Sequence, residues 1–151
     1  MNWTYIKKEM ETISDFPDNT HGFVYRIVHK PTGKVYIGRK ILQNTTKVKL
    51  GKKELKELAG VVGRRPSYKI AVKESNWKTY WGSNKSFIKF IKEEGEEMFH
   101  REILEFASNK KQLTYLETKY LFKLDVLERS KLYFNDNILG KFFKKDFEDN
   151  N

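Results

Sequence analysis

The chain has 151 residues, of which 30 are Lys or Arg and 20 are Asp or Glu, so its formal net charge is +10. A hydrophobic fraction of 38% is sufficient for a packed core, which excludes a disordered basic tail and predicts one domain over residues 1–151. The absence of cysteine excludes disulfides, thiol catalysis and cysteine-based zinc sites, and the three histidines are too widely spaced for a HExxH metal pair.

The positive charge indicates a polyanionic partner. Nucleic acid is favoured over a membrane surface, because no stretch combines a long apolar face with a basic one. No run approaches the length of a membrane span, and the N-terminal residues lack the apolar region of a signal peptide. We therefore expect a cytoplasmic protein with no membrane partner.

The first part of the chain predicts a hairpin. Residues 1–21 are interpreted as a short amphipathic lead-in that packs on the domain. FVYRIVH at 23–29 alternates and is rich in strand-forming residues, KPTG at 30–33 is typical of a turn, and KVYIGRK at 34–40 begins a second strand. The pattern predicts an antiparallel hairpin over 22–40.

Residues 41–76 differ in character and are interpreted as a basic insertion. Only KKELKEL has a helical pattern, and the remainder is predicted to form exposed loops. The insertion is equally compatible with contacts to a nucleic-acid backbone and with a solvated surface loop.

The second half alternates between helix and strand. Ser83 or Asn84 caps a predicted helix over 85–94, which Gly95 ends. MFHREILEF predicts a third strand over Phe99–Phe106, with a helical continuation as the alternative. These elements predict an α+β fold in which a three-stranded antiparallel sheet is flanked by helices.

The last predicted helix spans about 110–129 and opens with a capping box formed by Asn109 and Gln112. Glu117 falls about 40° from Leu113 on this helix, inside the apolar stripe. A buried charge is costly unless it is paired, bound to metal or placed at a cleft, so a salt bridge and a functional site stay about equally open. The acidic tail at 146–151 is expected to fray.

The second strand of the hairpin has a polar face. Alternation places Lys34, Tyr36, Gly38 and Lys40 on one face, with aliphatic side chains on the other. The polar face either presents a phenol, two ammonium groups and a glycine that allows close approach of a ligand, or is a half-packed tyrosine beside ordinary surface lysines. The strand alone favours the second interpretation.

In combination, these segments resemble the GIY-YIG nuclease family. GFVY at 22–25 and VYIG at 35–38 resemble the two halves of its signature, the first with one additional residue. Three further segments follow in the family's order: GEEMFHREIL at 95–104, LTYLETKYL at 113–121 and YFN at 133–135. The resemblance covers about residues 22–136 and implies a small GIY-YIG domain.

The resemblance also implies roles for individual residues. Tyr25 would deprotonate the attacking water with help from Tyr36 or from Tyr80, which stands where family members often place a His or Tyr. Glu117 would hold the metal ion, and Asn135 would position Glu117 or the backbone.

One departure from the family concerns the phosphate ligand. The family usually has an arginine on a helix soon after YIG, where this chain has the basic insertion. Lys40 is the preferred substitute because alternation places it on the Tyr36 face, Arg39 is second, and Arg64 and Arg65 are further candidates. Lys34 and Lys40 are also expected to lower the pKa of a tyrosine, which is ordinarily about 10.

The implied activity is metal-dependent hydrolysis of DNA with one Mg²⁺ or Mn²⁺ ion per active site. The partner would be double-stranded DNA, and a homodimer could make double-strand breaks. A free-standing phage or mobile-element nuclease, acting in a bacterium or phage-infected cell, is favoured over restriction and repair roles. The residues expected to contact DNA are Lys34, Lys47, Lys49, Lys52, Lys53, Arg64 and Arg65.

Two other functional classes remain open. The missing helix arginine favours a non-catalytic nucleic-acid-binding protein on the same fold, whereas the presence of both signature tyrosines, Glu117 and Asn135 argues against it. A purely structural interaction protein would leave both Glu117 and the positive charge unexplained.

Overall fold

The structure is a computed structural model that describes residues 2–60 and 68–147. Within these residues the main sheet has five strands: Trp3–Tyr5 (β1), Lys8–Met10 (β2), Gly22–His29 (β3), Val35–Ile41 (β4) and Phe99–Ala107 (β7). Their order across the sheet is β2-β1-β7-β3-β4. Strand β3 pairs antiparallel with both β4 and β7, and β1 lies parallel to β7.

The predicted hairpin and third strand are confirmed as β3, β4 and β7, but the prediction of a three-stranded sheet is wrong. The segment interpreted as an amphipathic lead-in contributes β1 and β2, which extend the sheet beyond β7. Ile6 and Lys7, between these strands, both have positive φ angles (45° and 67°), as the tight turn of a hairpin requires. Neither residue type is typical of such a turn, so the sequence lacks the usual signal.

The helices cover opposite faces of the sheet. Helix α2 (Lys85–Glu94) packs on one face through Phe87 and Ile91, in the larger aromatic core. Helix α3 (Lys110–Lys123) packs on the other through three leucines, against Val24 and Ile37. Because both faces are covered, the sheet carries two hydrophobic cores.

The helix boundaries follow local signals at three of four ends. Asn84 and Asn109 cap the helices by accepting hydrogen bonds from Phe87 N (3.0 Å) and Gln112 N (2.8 Å). Gly95, with a φ of 97°, ends α2 as predicted. Helix α3 ends at Lys123 rather than near 129, since Asp125 adopts a left-handed φ of 53° that an α-helix cannot accommodate.

The insertion contains more structure than predicted. The short helix is confirmed as α1 (Lys52–Glu57), but the flanking residues are not loops: β5 (Gln43–Lys49) and β6 (Tyr68–Glu74) form a separate two-stranded antiparallel ribbon. The sequence YKIAVKE at 68–74 carries the β-branched residues Ile70 and Val72 two positions apart, beside Tyr68, and these residue types favour a strand. Arg64 and Arg65 lie outside the described residues.

A small hairpin of β8 (Asn137–Ile138) and β9 (Phe142–Phe143) follows α3. Of the tail predicted to fray, the residues after 147 lie outside those described. Across the described ranges, the helices are too short or too polar to cross a bilayer.

Candidate active site

A cavity of about 600 Å³ lies beside β4, the edge strand of the main sheet. Residues from both faces of the sheet line it, because the cavity wraps around this edge. Six sequence-predicted site residues contribute to its lining: Tyr25, Tyr36, Arg39, Tyr80, Glu117 and Asn135. Lys40 and the described lysines predicted to contact DNA do not line it.

The register of the hairpin places Tyr25 directly opposite Gly38. A Cβ built on Gly38 would overlap the phenol of Tyr25, so the space beside this glycine is filled by that ring. The ring of Tyr25 therefore occupies the space on the Cβ side of Gly38, although Gly38 itself lines the cavity. The glycine is required because it lets Tyr25 lie flat across the neighbouring strand.

Three tyrosines form an aromatic wall of the cavity. The ring centroid of Tyr25 lies 6.4 Å from that of Tyr36 and 6.1 Å from that of Tyr80. Tyr36 stacks on Phe87 of α2, with centroids 4.7 Å apart and ring planes 17° apart. Tyr25 is 1% exposed, so its hydroxyl is held in a fixed position.

The pKa values of Tyr25 and Tyr36 move opposite to expectation. Burial, together with the neighbouring Tyr36, Tyr80 and Glu117, raises the pKa of Tyr25 well above its usual value. Burial raises the pKa of Tyr36 to about 12, although a hydrogen bond donated by the Ser83 side chain to the phenol oxygen opposes this shift. Both phenols are consequently protonated at neutral pH.

The two lysines expected to lower these pKa values contact other groups. Lys34 Nζ lies 4.8 Å from the ring centroid of Phe134. Lys40 Nζ lies 4.2 Å from the ring centroid of Tyr80 and donates a 2.6 Å hydrogen bond to Asn76 Oδ1. Lys40 thus shares the Tyr36 face, as alternation predicts, but packs behind Tyr80.

Arg39 reaches the cavity from the opposite face of β4. Its Nη1 donates to Thr114 Oγ1 of α3 (2.6 Å), and its Nε lies 3.9 Å from Glu117 Oε1. The sequence favoured Lys40 as the phosphate ligand because alternation places it on the same face of β4 as Tyr36. Since the cavity wraps around an edge strand, the residue on the other face, Arg39, is the one that lines it.

Glu117 lies on α3 with its side chain 18% exposed, at the point where the apolar stripe opens into the cavity. Its separation from Arg39 is too long for a hydrogen bond. Burial raises the pKa of Glu117, and the Arg39 guanidinium partly offsets this rise. The carboxylate therefore combines the two alternatives left open by the sequence: it has a loose cationic partner and it faces a cleft.

Asn135 is buried and holds the outer edge of β4. The segment before it pairs with this edge, as Val35 N donates to Leu132 O and Phe134 N donates to Val35 O. Asn135 continues the pattern with its side chain: Oδ1 accepts from Ile37 N (3.0 Å) and Nδ2 donates to Ile37 O (2.8 Å). It positions the backbone of β4 rather than Glu117.

The N-terminus of α2 is a part of the site that sequence reasoning missed. Ser83, Asn84, Lys85 and Ser86 line the cavity, where the first backbone N–H groups of a helix attract anions. The cap at Asn84 is predictable from the sequence, but its position next to Tyr36 is not. The packing of Phe87 against Tyr36 and the hydrogen bond from Asn84 to Asp136 bring this helix end to the cavity.

Arg101 is a second residue that the sequence did not reveal. This β7 side chain is buried between the rings of Trp3 (4.7 Å) and Trp81 (4.3 Å). Its Nη1 donates to the backbone carbonyls of Lys78 (3.0 Å) and Tyr80 (2.9 Å). Arg101 thereby fixes the segment that carries Tyr80.

The donor set in the cavity fits one hard cation. The second carboxylate, that of Asp136, accepts hydrogen bonds from Asn84 (3.0 Å) and Asn137 (2.7 Å), one on each oxygen. Glu117 is the carboxylate available to a cation. No group of three or more His, Cys, Asp or Glu suited to a metal occurs in the part of the chain described, so waters and a ligand would have to complete the coordination, as Mg²⁺ tolerates.

The lysines predicted to contact DNA lie mainly on the insertion. Lys47 and Lys49 are exposed on β5, and Lys52 and Lys53 are exposed at the start of α1. Lys34 is half-buried beside Phe134. These lysines are separate from the cavity lining.

The family described as "Putative endonuclease segE, GIY-YIG domain" has a model that matches residues 3–138 of this chain. No curated protein and no solved structure gives a significant match. The matched range spans nearly all described residues. It includes the signature tyrosines Tyr25 and Tyr36, together with Arg39, Glu117 and Asn135. The chain therefore belongs to the SegE-type family of GIY-YIG endonucleases.

Proposed function

We propose that this chain is a metal-dependent DNA endonuclease that acts as a free-standing phage or mobile-element enzyme on double-stranded DNA. One observation carries the proposal: Tyr25, Arg39 and Glu117 converge on one cavity at the N-terminus of α2. This set combines a candidate base, a cation for phosphate and a metal ligand. A binding protein that had lost its chemistry would not need a buried carboxylate whose pKa is raised.

The phosphate would be held by cations and helix N–H groups. Arg39 would bind a non-bridging oxygen through its guanidinium, and the N-terminus of α2, with Lys85, would attract the charge from the opposite wall. Glu117 would hold one Mg²⁺ or Mn²⁺ ion, which when bound would supply charge neutralisation at the phosphate and at the leaving oxygen. Asn135 would keep β4 in place beside them.

The hydrolysis would use Tyr25 as a general base. The oxygen of water attacks phosphorus, its proton passes to the Tyr25 phenolate, and the bond from phosphorus to the 3′-oxygen breaks. The leaving oxygen takes a proton from solvent, which gives a 3′-hydroxyl and a 5′-phosphate. A neutral phenol cannot accept this proton, so the raised pKa of Tyr25 implies that cleavage accelerates as pH rises above neutral.

The test is incubation of supercoiled plasmid with the protein and Mg²⁺, Mn²⁺ or a chelator. We expect nicked or linear product with either metal and none with chelator. Glu117→Gln and Tyr25→Phe should each lose most cleavage, while binding measured without metal persists. The matched controls are Glu93→Gln on the exposed side of α2 and Tyr115→Phe on the exposed side of α3, which should cut at the wild-type rate.

Three results would overturn parts of the proposal. Cleavage by Glu117→Gln in Mg²⁺ would remove the metal assignment, and wild-type turnover by Tyr25→Phe would remove the base. A wild-type protein that binds DNA but never cuts it would be a non-catalytic binding module. Since one site cuts one strand, the ratio of nicked to linear product, measured against protein concentration, would show whether a homodimer forms on DNA.

A further inference from the structure

The ribbon of β5 and β6 carries an unusual combination of side chains on one face. The register pairs Lys49 with Tyr68 and Lys47 with Ile70, so these residues lie on the same face, and alternation adds Val72. We call this set the ribbon face: Lys47, Lys49, Tyr68, Ile70 and Val72. Its three apolar side chains are 57–69% exposed, far more than expected for a sheet surface with an ordinary packing role.

The other face of the ribbon contacts the helix of the insertion through one ion pair. Lys69 of β6 forms an ion pair with Glu54 of α1, so α1 lies on that side. Glu54 also accepts a hydrogen bond from Gly51 N, which fixes the start of the helix. Within residues 2–60 and 68–147 the ribbon face has no such contact, and no ion-pair partner is found there for Lys47 or Lys49, which stand beside its exposed apolar residues.

The ribbon is fastened to the strand that forms the candidate active site. Strand β4, which carries Arg39, continues through buried Leu42 into β5. At the base of the ribbon, Ser75 N donates to Leu42 O (2.9 Å) and Gln43 Nε2 donates to Thr20 O (2.9 Å). Seven residues at about 3.3 Å each allow the ribbon to extend about 23 Å from this base.

We propose that the ribbon face lies in the major groove of the DNA duplex beside the cleavage site, with Ile70 and Val72 against thymine methyl groups and Lys47 and Lys49 on phosphates. The inference rests on the proposed function for its substrate, duplex DNA. The major groove admits a two-stranded ribbon and displays the thymine methyl, which apolar side chains recognise. Lysines alone would favour any polyanion, and the apolar residues between them add base selectivity.

The lysines are tested through the salt dependence of binding. Binding is measured without metal, in a Glu117→Gln background so that no cutting interferes. Lys47→Gln with Lys49→Gln should weaken binding to all sequences and reduce the slope of log K against log salt by about 2. The charge-matched control is Lys7→Gln with Lys8→Gln, at the opposite edge of the sheet, which should leave the slope within about 0.5 of the parent value.

The apolar residues are tested with DNA that lacks the thymine methyl. Ile70→Thr with Val72→Thr retains strand-forming side chains and removes apolar contact. We expect this variant to lose about fivefold or more in affinity for thymine-containing duplex and to bind uracil-substituted duplex as the parent does. The parent should itself prefer thymine-containing duplex. The matched control is Ala71→Thr on the other face of the ribbon, which should behave as the parent.

The outcomes separate this inference from the proposed function. The groove assignment would be overturned if Ile70→Thr with Val72→Thr lost affinity equally for thymine and uracil duplexes, or lost none. It would also be overturned if the variant melted at a temperature low enough for unfolding to explain the lost binding. A variant that changes sedimentation from dimer to monomer while binding DNA normally would also overturn it, in favour of contact with a second copy. If the wild type binds with the predicted thymine preference but never cuts, the nuclease proposal fails and the ribbon assignment stands.

Discussion

The phenol ring of Tyr25 covers the α-carbon of Gly38, its direct partner across the hairpin. The two halves of the sequence signature therefore depend on each other sterically: the tyrosine from one strand needs a glycine on the next. This contact places the Tyr25 hydroxyl at the cavity beside Tyr36 and Tyr80.

Gly38→Ala should therefore displace Tyr25. The new methyl group overlaps the ring, and overpacking of this kind costs about 1–3 kcal/mol of unfolding free energy. We also expect about a 10²-fold loss of plasmid cleavage, because a displaced base loses its alignment with the water. Denaturant unfolding measures the loss of stability, and the initial rate of plasmid nicking measures the loss of cleavage.

Gly51→Ala is the control for Gly38→Ala, since a Cβ at Gly51 meets no atom within 4 Å and its φ of −74° suits any residue. Its stability and its cleavage rate should match the wild type. A Gly38→Ala protein with full activity would show that the position of Tyr25 is not critical.

Arg39→Gln should reduce cleavage far more than Lys40→Gln. Arg39 lines the cavity beside Glu117, whereas Lys40 packs behind Tyr80. Loss of a cation that stabilises transition-state charge costs about 10²–10³ in rate, so that range is expected for Arg39→Gln at saturating DNA. The initial rates of both variants are measured on the same plasmid, and a larger loss for Lys40→Gln would reverse the assignment.

Asn135→Asp should destabilise the fold with almost no change in side-chain size. The substitution replaces the amide that donates to Ile37 O with an acceptor, which leaves a buried carbonyl facing a carboxylate. The expected cost is about 1–3 kcal/mol, measured by urea unfolding. Asn44→Asp, exposed on β5, is the control, and an equal effect in both would contradict the role of Asn135 in holding β4.

Glu117→Gln should be more stable than the wild type at neutral pH in the absence of metal. Burial raises the pKa of Glu117 in the folded state, so the unfolded chain releases this proton at lower pH. The contribution of protonated Glu117 to the free energy of unfolding is fully present below the pKa of the unfolded state, about 4.3. This contribution is lost as the pH rises through the pKa of the folded state. The variant should therefore exceed the wild type in melting temperature at pH 7 and match it at about pH 3.

Addition of Mg²⁺ supplies a second readout for the same carboxylate. The ion should raise the melting temperature of the wild type, because ligands that bind only the folded state stabilise it, and should leave Glu117→Gln unchanged. A Mg²⁺ response in Glu117→Gln equal to that of the wild type would place the cation elsewhere.

The sequence by itself determined the parts of the protein that depend on neighbouring residues. Alternation over 23–29 and the KPTG turn specify the hairpin, and Asn84 and Asn109 specify where two helices begin. The helical period places Glu117 inside an apolar stripe. Each of these signals acts over one turn or a few strand residues, so it can be identified without knowing what packs against it.

Only the tertiary structure decided which side chains share the cavity. The short strand β1 is held by pairing with distant β7 and in turn pairs with β2, and the turn between them at Ile6 and Lys7 carries no typical signal. Arg39 rather than Lys40 reaches the cavity because β4 is an edge strand, so side chains from both faces meet around it. The raised pKa values of Tyr25 and Tyr36 also come from the tertiary structure, because desolvation depends on the full set of groups packed around each phenol.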